Sequence, residues 1–509
     1  MFRDGRVQEY PTASLSVVPF DGDFVKNFER PVGIGDNWPP PQLEYLSQYL
    51  ADLKCKSIVV EQHYVDRDYA DDVAIFYSRS LRSYPNHCQR LHFFQGSITE
   101  EGFAHLMARA NSGEIGKCQQ TLQDGYLGFS VVKPLPGCPV GRTVLVTLSG
   151  RAMDGSERRF SPLRRYDVNL AVFQLNVHGL AFQQQDQGVS ACATTALWTA
   201  LHRVAPMEGL LLPTPASITQ SASRYVLAGG RSLPSDGLTS HQMCEAIRAA
   251  GLSPLVISSV DPENDKAEIG TYLDSGFPVV LALQPLSGQD GHAVCVVGQK
   301  IGTLPPRADG SILFNEASRA VKAYYVHDDR LGPYAVADVQ PFTLALKGGS
   351  KTVTTLEIRW RSREVWETSI LKAAIVPVPV KLRLTATRMR NMGILLAQWA
   401  GTQVAPSLAG QIQLSCRFLT APELKRNSLA YGLSNAGLRR LTTNTTFSRY
   451  VGLIEIGAPT APLFSVVLDA TETTPNPSVI ACIRRSPSLT AAAPLELLAE
   501  ELGAKKLVE

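Results

Sequence analysis

Gln183-Gln184-Gln185-Asp186-Gln187-Gly188-Val189-Ser190-Ala191-Cys192-Ala193-Thr194-Thr195-Ala196-Leu197-Trp198 is the stretch on which the fold turns. Glutamines and a glycine lead into a cysteine just where a helical pattern begins. Ala193, Ala196, Leu197, Ala200, Leu201 and Val204 recur at three- and four-residue steps, and Ser190 suits an N-cap. A thiol at a helix start faces the positive end of the dipole, which favours the thiolate, the form that attacks carbonyl carbon. Such a nucleophile needs a base, which must come from elsewhere in the chain.

Working outward, 509 residues are enough for two to four domains. Apolar residues make up 44% and charged residues 19%, an ordinary globular balance. A net charge of +3 gives no electrostatic support for nucleic-acid binding. No apolar run approaches the roughly 18 residues that span a bilayer. Met1-Phe2-Arg3-Asp4-Gly5-Arg6 has no apolar core, so no signal peptide is expected. The nine cysteines are dispersed with no Cys-x-x-Cys pair, which reads as reduced thiols in a cytoplasmic protein. Eight of them suit small buried positions, and Cys192 is the exception.

Three regions follow. Residues 1–165 alternate helical patterns (42–54, 67–83, 99–110) with strand patterns (57–60, 91–94, 125–132, 143–147) and predict an α/β domain. Its acidic cluster, Glu61, His63, Asp66, Asp68, Asp71 and Asp72, matches no metal-ligand spacing and reads as the charged first turn of a helix. Residues 166–345 hold a strand at 170–182, helices after Cys192, and then strands at 278–283, 291–298 and 323–329. Residues 346–509 are mixed, with strands at 352–360, 411–418, 450–456 and 463–468, a helix at 382–399 and no chemical motif. The last residues, 494–508, suit a short amphipathic helix or a frayed end.

The base is His292, 100 residues after Cys192, behind Gly291 and at the mouth of a buried strand. It can accept the thiol proton and return it to a leaving group. Asp328, at the end of the next strand, can hold the imidazole in one tautomer. Asp329 is the alternative, because successive residues of a strand face opposite ways. By the same alternation His327 and Cys295 point away from the site. An oxyanion needs the Cys192 N–H and a side-chain amide. Gln183, Gln184, Gln185 and Gln187 all offer one.

The Gln-rich loop, the Cys at a helix start, Gly291-His292-Ala293-Val294 and Val326-His327-Asp328-Asp329 together resemble papain-like cysteine peptidases. The likeness is nearest to the bacteriocin-processing peptidases and phytochelatin synthase, and covers residues 180–335. It implies an α+β fold: a papain-like core flanked by an N-terminal α/β domain and a C-terminal mixed α/β domain. It also implies a Cys192–His292–Asp328 triad with Gln185 or Gln187 at the oxyanion hole, Gln185 being preferred. Three features depart from the pattern. Asp186 stands where the family has its glutamine, Ala193 replaces a glycine, and 36 residues separate His292 from Asp328. The excess, near 298–320, reads as a surface insertion beside the site.

The expected activity is a peptidase or isopeptidase acting through a thioester, without cofactor or metal. Its partners would be a protein or peptide substrate and a regulatory protein held by the flanking domains, with no nucleic acid or membrane. An acyltransferase shares the first half-reaction, and a binding protein that keeps the fold without turnover is the third reading. A zinc site from Cys192, His292 and Asp328 lacks a fourth ligand. The absence of a Gly-x-x-x-x-Gly-Lys loop speaks against a peptide exporter.

Overall fold

Helix and strand are mixed in every part of the chain, an α+β architecture organised by three main sheets. The structure is a computed structural model. It describes residues 15–22, 39–81, 83–135, 137–186, 188–189, 191–225, 237–288, 290–304, 313–346, 349–360, 364–408, 410–458, 461–474, 478–486, 496, 499–504 and 506–508. Among the described residues no helix is long and apolar enough to cross a membrane.

The first sheet runs in sequence order and antiparallel: β1 (Leu15–Pro19), β2 (Ser57–Tyr64), β3 (Cys88–Phe94), β4 (Tyr126–Val132) and β5 (Val140–Leu145). Helices α1 (Pro41–Asp52), α2 (Arg67–Ile75), α3 (Glu100–Arg109) and α4 (Ile115–Asp124) accompany it. Pro41 at N1 opens α1, where a missing N–H does no harm. The acidic cluster behaves as a helix start. Asp66 caps α2 by accepting from the Asp68 and Tyr69 N–H groups, and Glu61 is held by Arg90 and His92.

Next come β6 (Glu157–Arg159) and a hairpin of β7 (Arg164–Leu170) and β8 (Phe173–Gly179). The expected single strand over 170–182 is therefore divided. The positive φ of Ala171, 50°, turns the chain between the two halves.

The central region supplies α5 (Cys192–Met207), α6 (Pro215–Ala222), α7 (Ser240–Ala249), β9 (Ser253–Ser258) and α8 (Pro262–Asp274) before its strands. These are β10 (Val279–Pro285), β11 (His292–Ile301), β13 (Val321–Asp328), β14 (Gly332–Leu346), β15 (Gly349–Trp360) and β16 (Glu364–Val378). Each pairs antiparallel with the next, and β16 pairs back onto β10. The ring closes, and closure removes the free edges an open sheet would present. β6 and β9 attach to it at β11 and β16. The strands β15 and β16 lie after residue 345 in the chain, yet they complete the ring that carries His292.

The third sheet has the order β12-β17-β18-β19-β20-β21. Its strands are β12 (Phe314–Glu316), β17 (Ile412–Thr420), β18 (Tyr450–Ala458), β19 (Ala461–Asp469), β20 (Val479–Arg484) and β21 (Lys506–Val508), with helices α9 (Ala386–Trp399), α10 (Ala421–Asn427) and α11 (Asn435–Thr442). β12 corrects the reading of residues 298–320. Part of that interval is a strand of another sheet, parallel to β17. It also leaves β11 at Ile301, the end opposite His292. A ten-residue strand spans about 30 Å, so the described part of the interval starts far from His292.

Candidate active site

The helix α5 starts at Cys192 because Ala191 is extended (φ −77°, ψ 171°) and Cys192 is the first residue with helical backbone. Ala191 has no side-chain acceptor, so the cap lies one residue past the expected Ser190, which is outside the described residues. Leu197, Trp198, Leu201 and Val204 are fully buried, and the helix packs on β11, β10, β13 and β16. That packing fixes where the helix start points. Cys192 is half-buried, and its interaction with the His292 side chain helps to raise that imidazole's pKa.

His292 opens β11 and is buried. Its Nε2 lies 3.0 Å from Asp328 Oδ1, which leaves Nδ1 as the other ring nitrogen. Burial alone disfavours the imidazolium. The charge and hydrogen bond of Asp328, with the Cys192 contact added, override it and hold the His292 pKa well above the usual histidine value. Asp328 is fully buried at the end of β13. Burial would raise its carboxyl, but His292 and Arg330 together pull it below the usual range. The same Oδ1 accepts the Arg330 N–H at 3.0 Å, and the Leu331 N–H returns to the Asp328 carbonyl at 2.9 Å. The carboxylate is thus fixed by the turn that joins β13 to β14.

Asp329 does not point away from this group. One ligand atom each from His292, Asp328 and Asp329 lies within 4.8 Å of the other two. The regular alternation that predicted opposite faces ends here because β13 stops at Asp328 and a turn begins. Burial, and then the Asp328 charge, raise the Asp329 carboxyl to about 7 against the pull of His292 and Arg330. Its carbonyl accepts from Gln42 of α1 at 2.8 Å.

The loop before Cys192 is built on Asp186 rather than on its glutamines. Asp186 Oδ1 accepts the Gly188 and Val189 N–H groups at 3.0 and 2.6 Å, and Oδ2 lies 3.4 Å from the buried Lys133 ammonium. Burial lowers the Lys133 pKa, and the charges of Asp186, Cys138 and Asp72 more than reverse that. Tyr77 covers Gly188 so closely that a Cβ there would lie 2.9 Å from its ring. Gln184 is structural: its amide donates to the Gly137 carbonyl at 3.0 Å and accepts the Val140 N–H at 3.2 Å. Gln183 is buried with an unpartnered Nε2. Gln185 is half-buried, and Gln187 lies outside the described residues. Lys133, Tyr77 and Gln42 carry no sequence signal, because each acts on a loop more than 50 residues away.

The remaining expectations find their places. Cys295 is fully buried, and its thiol is pushed up by burial. His327 stacks edge-on with Phe182 and Tyr334, away from the dyad, and burial lowers its pKa to about 3.

No protein-family model and no curated protein matches this chain. A thiol at a helix start, an imidazole that interacts with it and a buried carboxylate on one ring nitrogen are the parts of a proton-transfer line. Such a line serves acyl transfer to and from sulfur.

Proposed function

We propose that the chain is a cysteine hydrolase of papain-like type, a peptidase or isopeptidase, with Cys192, His292 and Asp328 as its triad. The observation that carries this reading is the buried His292–Asp328 pair, at 3.0 Å, on an imidazole that also interacts with Cys192 at the start of α5.

In the reaction the Cys192 sulfur attacks an amide carbonyl carbon and His292 holds the proton that leaves the thiol. The carbonyl oxygen gains the negative charge. The first N–H groups of α5, which have no partner within the helix, face that charge at the positive end of the dipole. The C–N bond breaks as His292 protonates the leaving amine, which leaves a thioester on Cys192. Water then gives a proton to His292 and its oxygen to the acyl carbon, releasing a carboxylate and the free thiol. Asp328 stays ionised throughout and holds the imidazole by Nε2. Protein or peptide substrates fit this chemistry.

The test is labelling of the full chain with iodoacetamide at pH 6–7, mapped by mass spectrometry. Cys192 is expected to react at least about tenfold faster than a free thiol, and His292→Ala to abolish that advantage. Labelling no faster than a free thiol sinks the proposal. Trapping the acyl-enzyme and comparing its release by water with release to added amines then separates hydrolase from acyltransferase. Preferred release to an amine would replace the first by the second.

A further inference from the structure

We propose that His292, Asp328 and Asp329 also form a binding site for a divalent transition ion, zinc by its ligand chemistry, whose occupancy disables the base. Its inhibitory half rests on the catalytic reading above, and the binding itself does not.

Among the described residues this is the one group of three potential ligands whose donor atoms converge, each within 4.8 Å of the others. All three side chains are more than nine-tenths buried, at 5%, 0% and 2% exposure. Asp328 Oδ1 is already shared between the imidazole and the Arg330 N–H. The Oδ2 atoms of Asp328 and Asp329 are buried with no hydrogen-bond partner. Two unpartnered carboxylate oxygens in a closed site are costly, and a shared cation satisfies both. The Arg330 guanidinium pairs with Glu367 at 2.9 Å and stands 3.8 Å from Asp328 Oδ1; its charge reaches both aspartates, but it hydrogen-bonds neither Oδ2.

The donor set names the ion. One imidazole nitrogen with two carboxylate oxygens suits zinc, whereas magnesium and calcium prefer oxygen alone. Two carboxylates balance the double charge, and water takes the fourth position. The ion takes the Nε2 lone pair after that nitrogen's proton leaves to solvent, together with the Asp329 proton where the carboxyl still holds one. The ring then carries its hydrogen on Nδ1 and has no lone pair left to receive the thiol proton. Binding therefore weakens as pH falls. Cys192 is not a ligand in this site, which sets it apart from direct capture of zinc by the thiol.

The experiment titrates zinc by calorimetry into the metal-free full chain carrying Cys192→Ala. One ion per chain is expected, with Kd at or below about 10 μM at pH 7.5 and weakening at least about tenfold at pH 6. Adding Asp329→Asn should weaken it at least about 30-fold, and magnesium should give no binding. In the chain with its thiol, the same zinc concentration should slow iodoacetamide labelling of Cys192 at least about tenfold, and Asp329→Asn should restore it. No binding to the Cys192→Ala chain, or unchanged affinity after Asp329→Asn, overturns the metal site. Should circular dichroism show that Asp329→Asn does not fold, cobalt(II) added to the Cys192→Ala chain must give d–d absorption bands. Their absence overturns the site. Slow labelling of Cys192 without zinc sinks the catalytic reading instead, so the two failures are distinguishable.

Discussion

Asp328 and Asp329 are neighbours in sequence, both buried, and driven in opposite directions by what they touch. Asp328 is held ionised by His292 and Arg330, so replacing it leaves the imidazole without its acceptor. Asp328→Asn should lower turnover, or the rate of Cys192 alkylation, on the order of 10²–10³-fold, measured under conditions where circular dichroism shows the variant folded. Asp329 is raised to about 7, while an unfolded aspartate titrates near 3.9. Between those values the folded chain holds a proton that the unfolded chain has lost. Stability from this group therefore falls as pH rises from about 4 to about 7. Asp329→Asn removes that loss. The variant should gain on the parent by at least about 1 kcal/mol at pH 8, with the gap closing towards pH 4.5, in urea melts across that range. A gap that is flat with pH would show that the Asp329 carboxyl is not the titrating group.

At the scale of elements, the site is two loops held by parts that precede them in the chain. Lys133 and Asp186, with side chains 3% and 1% exposed, face each other behind the Cys192 loop. Lys133→Met takes the ammonium away from the buried Asp186 carboxylate. It should cost about 3–5 kcal/mol in chemical denaturation, and Asp186→Asn added to it should recover part of that. Recovery of nothing would place the defect outside the pair. Gly332→Ala tests the second loop, since a Cβ there would lie 2.1 Å from the Tyr45 ring, which must then shift. The expected result is slower alkylation of Cys192 in a folded chain, because Gly332 pairs with Asp328 across the turn that positions its carboxylate. The sequence reveals the elements that carry their own period or cap. α5, β11 and β13 lie within a few residues of their expected positions. It conceals whatever depends on a distant partner. Asp186 reads as a misplaced glutamine until Lys133 is seen beside it, and Asp329 reads as facing away until the turn after β13 is known. The long strands β14 and β16 also escape notice, because their pattern has no clean alternation to follow.

Across the whole molecule, one apolar core runs from Leu43 of α1 through α5 and the closed ring to Cys482 of β20. Polar contacts follow the same seams. Tyr334 of β14 donates to the Leu145 carbonyl and accepts the Leu180 N–H, and Arg390 of α9 holds Glu316 of β12 through two nitrogens. The first sheet and its helix α1 also reach both loops of the proposed site, through Lys133 at the β4–β5 connection and Gln42 on α1. Three sheets that share a core and divide the support of one site should unfold together rather than in turn. Buried thiols make this measurable without labels, because Cys88 lies in the first sheet, Cys295 in the ring and Cys482 in the third, all inaccessible in the folded chain. Pulse alkylation across a urea series, read by mass spectrometry, should give all three the same midpoint. The fast reaction of half-buried Cys192 should be lost at that midpoint and not before. If Cys88 is exposed at lower urea while Cys192 keeps its reactivity, the first sheet is an appendage and its hold on the two loops carries no functional weight.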